Sequence, residues 1–124
     1  MAKIILLAIG SVAGGLARYS LGGLAHKTFG HDFPYGTMAV NLIGCFLIGI
    51  LSAISEEKFF LGANGKLLLV IGFCGAFTTF STFMLETAHL MKQGQNAHAF
   101  MNVMLSVLMG FVFFKLGTLV GEMF

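Results

Sequence analysis

The stretch Gly72-Phe73-Cys74-Gly75-Ala76-Phe77-Thr78-Thr79-Phe80-Ser81-Thr82-Phe83 decides how this chain is read. It lies at the centre of an apolar segment bounded by Lys66 and Lys92. Glycine, β-branched threonine and serine are poor helix formers, and two glycines and four hydroxyl residues fall within these twelve positions. The run predicts a helix that breaks at its midpoint, near Thr78 and Thr79. A break frees carbonyls from the first half and N–H groups from the second. In hydrocarbon such groups are tolerated only where they meet an ion or line a polar cavity. The competing reading is an unbroken helix whose threonine hydroxyls bond back to the preceding turn.

Composition supports a membrane setting for this segment. The 124 residues are 57% hydrophobic and only 10% charged, with a mean hydropathy of +0.93, whereas soluble domains carry about 25% charged residues. Four helical spans of about 20 residues use roughly 80 positions and leave no room for a soluble enzyme or nucleic-acid module. The fold class expected is therefore an all-α membrane protein, one four-span domain over residues 1–124. The spans cover about Ile4–Ala25, Gly36–Ile54, Leu67–Met91 and Ala97–Val120. Apolar sequence after Lys3 continues past a signal-peptide core, so the first span is expected to be retained. Seventeen glycines against one proline point to close helix contacts, as at Gly10, Gly14 and Gly22 in span 1. Cys45 and Cys74 stand alone in apolar sequence and read as buried thiols.

Lysine and arginine nearly balance across the membrane. Lys3, Lys58, Lys66 and Lys115 fall on one side and Arg18, Lys27 and Lys92 on the other. Two explanations remain open: counting noise in a chain with few charges, or dual topology, in which two copies insert oppositely and pair as an antiparallel homodimer. In such a dimer, midplane residues meet their own equivalents across the two-fold axis. Carbonyls at a span-3 break would then form an oxygen-lined pocket suited to a hard cation such as Na⁺, with Gly75 and Thr78 as donors.

Several polar residues sit where hydrocarbon disfavours them. Asn41 lies in span 2 one turn beyond Thr37 on the same face. Its amide is either an anion donor or a clamp between helices. Asn102, Ser106 and Gly110 form a narrow stripe on span 4 that should face protein or water. Arg18 and Glu86 are the charges deepest in their spans; each costs roughly 2.5–3.5 kcal/mol on insertion scales and needs a partner or water. For Arg18 the readings are a structural role at an interface or vestibule and ion attraction, and Glu86, one turn beyond Thr82, marks a wet path. Phe77, Phe80 and Phe83 recur every third residue through the break. Aromatic edges carry partial positive charge and can line an anion path, although packing is the usual role of such a stripe.

These residues resemble the Fluc (CrcB) family of microbial fluoride channels over essentially the whole chain. The match is carried by Gly14 through Arg18-Tyr19, by Gly36-Thr37 with Val40-Asn41-Leu42, and by Gly72 to Thr87, above all Thr78-Thr79-Phe80-Ser81-Thr82-Phe83 with Glu86-Thr87. The resemblance implies a dual-topology antiparallel homodimer in a prokaryotic inner membrane. It would pass fluoride passively through two pores and protect the cell from fluoride. By position, Phe80 and Phe83 would be pore phenylalanines and Asn41 the pore amide. Gly75 and Thr78 would supply carbonyls to a structural, non-transported Na⁺. Thr37, Ser81, Thr82 and Glu86 would line or neighbour a polar track that Asn102 and Ser106 face. The chain departs from the family at Ala76, where a second glycine is common; a left-handed backbone there would strain alanine. A small multidrug exchanger, also short and four-span, is the main rival class, but span 1 holds Arg18 and no carboxylate. A non-conducting scaffold would explain the glycine seams and leave the break unexplained. The expected partners are fluoride, an inverted copy and the lipid bilayer, with no nucleic acid and no enzymatic chemistry.

Overall fold

A computed structural model of the chain describes residues 1–57 and 61–124. Lys58, counted in the charge balance, lies outside the described residues. Five helices follow in order: α1 (Ala2–Phe29), α2 (Tyr35–Glu57), α3 (residues 62–77), α4 (Phe80–Lys92) and α5 (Asn96–Glu122). Helices α3 and α4 together make one crossing, giving four apolar helical stretches long enough to span a bilayer among the described residues. Each crossing extends past the apolar stretch read from sequence, because a helix can continue where its backbone leaves hydrocarbon and meets the polar interface.

Glycines govern the packing. A Cβ on Gly10 or Gly14 of α1 would run into the backbone carbonyl oxygens of Leu68 and Phe73, so α1 lies directly on α3. On the opposite pair, Gly49 and Gly117 face the carbonyl oxygens of Phe114 and Phe46, and a Cβ on Gly121 would stand 2.7 Å from the Ile50 oxygen. Helices α2 and α5 are thus in backbone contact along three turns. In lipid, where no hydrophobic force drives helices together, this approach gains dispersion contacts that larger residues would prevent. The seam expected on α1 is confirmed at Gly10 and Gly14; at Gly22 the close contact is made by its carbonyl oxygen, which a Cβ on Gly36 of α2 would meet at 2.6 Å.

The third crossing is irregular in two ways. Lys66–Cys74 winds as a π-helix, and the Gly75 N–H reaches back five residues to the Val70 carbonyl; such winding is rare and concentrates near functional sites. A short α-helical turn, Gly75–Phe77, follows, and then the backbone opens to extended values at Thr78 (φ −86°, ψ 156°) and Thr79 (φ −150°, ψ 120°). The helix breaks at the two residues expected from the sequence. Ala76 lies inside the helical turn before the break, so it needs no left-handed backbone and carries no strain of that kind. Positive φ occurs instead at Gly30 and Gly94, between helices, and at Gly62, the first residue of α3.

A side chain at Gly117 must push α2 and α5 apart. Gly117→Ala is therefore expected to lower the thermal midpoint in detergent, with a cost on the order of 1–3 kcal/mol. Gly23→Ala, where the added methyl meets nothing within 4 Å, should melt like the unmodified protein.

Candidate functional site

The break is held by one side chain. Asn41 Nδ2 donates to the Thr79 carbonyl at 2.9 Å, and the Thr79 N–H donates to Asn41 Oδ1 at 2.8 Å. The amide therefore satisfies both backbone groups of the residue at which the helix stops. Two neighbours complete the arrangement. Thr79 caps α4 by accepting the Thr82 N–H on its Oγ1 at 3.3 Å, while the Thr78 N–H and hydroxyl both donate to the Cys74 carbonyl at 3.0 and 2.8 Å. Gly44, one turn past Asn41, leaves room for the Thr78 methyl. Among the described residues no backbone hydrogen bond crosses from α3 to α4. The carbonyls of Gly75 and Thr78 are thus left without a backbone donor. A Cβ on Gly75 would meet nothing within 4 Å, so Gly75 lies open on the surface of the single chain.

Three cavities follow one another along this region and share lining residues. The first, about 220 Å³, is bordered by His26, His31, Asp32, Glu86 and His89. The second, about 330 Å³, is bordered by His26 again and by Arg18, Tyr19, Thr37, Thr79 and Thr82. The third, about 260 Å³, lies across the break and is bordered by Thr79 again with Asn41, Cys45, Thr78, Phe80 and Phe114. His26, its ring stacked on His31 with centroids 5.1 Å apart, borders both the first and the second. Thr79 borders both the second and the third.

Polar groups along this series are partly committed. The Thr37 hydroxyl donates to Glu86 Oε1 at 2.7 Å, a bond that ties α2 to α4. Glu86 Oε2 is buried without a hydrogen-bond partner among the described residues. Arg18 forms no ion pair among the described residues, and its guanidinium is the only arginine charge in the chain. Thr82 lends its N–H to the cap, and its hydroxyl makes no hydrogen bond among the described residues. Asn41 retains one Nδ2 hydrogen beyond the clamp.

Of the residues singled out from sequence, Arg18, Thr37, Asn41, Thr82, Glu86 and Phe80 are brought onto this series of cavities, together with Thr78. Phe80 is 73% exposed and Phe83 only 6%; their rings lie 5.8 Å apart at 53°. Ser81 is exposed on α4 and borders none of the three cavities. The α5 stripe turns toward protein. Asn102 is 1% exposed and donates to Thr87 Oγ1 at 2.9 Å, Ser106 Oγ is buried without a partner among the described residues, and Gly110 faces the Cys45 sulfur. Cys45, read from sequence as a buried thiol, is only partly buried and borders the third cavity, whereas Cys74 is fully buried; sequence reasoning gave no role to His26 or Thr87. Only Thr87 carried a signal, as the last residue of the Glu86-Thr87 pair closing the span-3 run.

Asn41→Leu removes both bonds at the break. It should cost on the order of 1–3 kcal/mol for each backbone group orphaned. Amide hydrogen exchange should lose protection at Thr79 while helix content measured by circular dichroism stays near that of the unmodified protein.

Comparison with known proteins adds sequence relatives to this geometry. Residues 5–118 match the family model described as CrcB-like protein, Camphor Resistance (CrcB). A protein named fluoride-specific ion channel FluC from Dehalococcoides mccartyi is 41% identical over 123 residues, covering 99% of this chain and 95% of that protein. Proteins of the same name from Maridesulfovibrio salexigens and Geobacter sp. are 39% identical over 123 residues and 44% identical over 107. These alignments cover 99% and 86% of this chain, and 98% and 86% of those proteins.

Proposed function

The chain belongs to the CrcB-like family, and from that premise we propose that it is a fluoride-specific channel whose passive efflux protects a prokaryotic cell from cytoplasmic fluoride. It is a multi-pass membrane protein and not an enzyme. It works in the inner membrane as a dual-topology homodimer of two inverted copies with two pores. The observation that carries this reading is the clamped break at Thr78–Thr79, which sets uncommitted polar groups and phenylalanine rings side by side inside an apolar crossing.

Fluoride leaving water needs hydrogen-bond donors in place of its hydration shell. The Arg18 guanidinium raises anion concentration in the second cavity, and the free Thr82 hydroxyl donates there. Thr37 is not available as a donor, because its hydrogen is given to Glu86. The remaining Asn41 N–H then hands the ion across Thr79 toward Phe80. There the partial positive ring edges of Phe80 and Phe83 offer attraction without a fixed cation to trap the ion. The exposure of Phe80 on one chain supports a path completed by the second copy.

The Gly75 and Thr78 carbonyls suit a hard cation such as Na⁺, which prefers oxygen donors. Two carbonyls are too few for a full shell, so the site requires the same pair from the inverted copy. The open surface at Gly75 supports that approach. When bound there, the ion would supply fixed positive charge between the copies, and it is not transported.

Protein reconstituted in liposomes should release fluoride passively and retain chloride; absence of fluoride release would overturn the assignment. Phe80→Ile should lower fluoride release by about tenfold, a loss of roughly 1.4 kcal/mol of ring-edge stabilisation along the path, while the dimer persists on size exclusion. Asn41→Asp should also impair release, since a carboxylate accepts the Thr79 N–H but offers no donor to an anion.

A further inference from the structure

Helix α4 carries both phenylalanines of the proposed path, and a helix can turn about its own axis unless something outside it resists. Two consecutive residues supply that resistance. Glu86 is tied to Thr37 on α2. Thr87, about 100° further round the helix by the 3.6-residue repeat, is tied to Asn102 on α5. Thr87 makes the second tie through one hydroxyl that is used twice. It accepts from Asn102 Nδ2 at 2.9 Å and donates to the Phe83 carbonyl at 2.8 Å. Both Thr87 and Asn102 are buried, at 9% and 1% exposure.

We infer that Thr87 is a positioning residue for permeation: its hydroxyl relays the Asn102 amide of α5 to the backbone of Phe83 and so fixes the rotation of α4. The inference rests on the fluoride-channel reading for its transport consequence, but the relay itself stands on the two hydrogen bonds. It also gives Asn102 a definite task. The amide sets the ring-bearing helix from behind rather than touching the ion. Bonds on two faces one residue apart restrain rotation in both senses, which a single bond would not do.

The test compares Thr87→Val, which keeps the shape and loses the hydroxyl, with Thr87→Ser, which keeps the hydroxyl. Each is reconstituted for fluoride and chloride efflux, and each is labelled with 4-fluorophenylalanine at position 83 for ¹⁹F NMR. Thr87→Val should lower fluoride efflux about tenfold, the scale of one buried polar group losing its partner, and should shift and broaden the position-83 resonance. Thr87→Ser should match the unmodified protein in both readouts. Full efflux with an unmoved resonance in Thr87→Val, or equal impairment in Val and Ser, would overturn the inference. Should Thr87→Val fail to fold, Asn102→Leu cuts only the α5 end of the relay and decides by the same two measurements. An unmodified protein that passes no fluoride would sink the channel assignment alone, because the resonance still reports whether the hydroxyl positions the ring.

Discussion

The two hydrogen bonds between Asn41 and Thr79 are the constraint on which the rest depends. A membrane crossing cannot stop and restart in hydrocarbon unless its freed backbone groups find partners. Here the amide, with one donor and one acceptor facing the peptide, satisfies both groups of the residue where the helix stops. Because that demand is met from α2, the carbonyls of Gly75 and Thr78 can remain without backbone donors. The break is thereby stable without being closed. A leucine crossing would pack as well and offer an ion nothing.

The glycine contacts make the clamp possible. Asn41 reaches Thr79 because α2 comes close enough for Gly44 to take the Thr78 methyl in place of its own side chain. The same helix is held at its other side by backbone contact of Gly49 with Phe114 and of Gly117 with Phe46. Helix α1 fixes α3 in the same way through Gly10 and Gly14. Small residues therefore set the distances, and the few polar side chains are placed at the points those distances define.

Polar groups in this molecule divide between holding and receiving. Thr37 and Thr87 give their hydroxyl hydrogens, and Asn102 an amide hydrogen, to other helices or to backbone, while the Thr79 hydroxyl oxygen accepts the cap N–H. Among the described residues Arg18, the Thr82 hydroxyl and one hydrogen of Asn41 remain uncommitted, and these residues border the cavities. An anion path needs both kinds. Donors that are not held in place would turn away to bond one another, and donors already satisfied would not strip an ion of its water.

The four crossings, the break at Thr78–Thr79 and the glycine seam through Gly10 and Gly14 were legible in the sequence. Each follows from a property that residues carry with them: apolar length, poor helix propensity, or absence of a side chain. The π-helical winding of Lys66–Cys74 left no comparable trace, because a run of leucine, valine and isoleucine suits either winding. Sequence left Asn41 open between clamp and donor, and only the tertiary structure showed that it clamps while keeping one hydrogen. It likewise turned Asn102 and Ser106 toward protein and brought His26, Arg18, Thr37 and Thr79 to the walls of neighbouring cavities. Which face a polar residue presents, and to whom, depends on how neighbouring helices rotate and approach. That is settled by contacts between segments distant in the chain, which no single segment encodes.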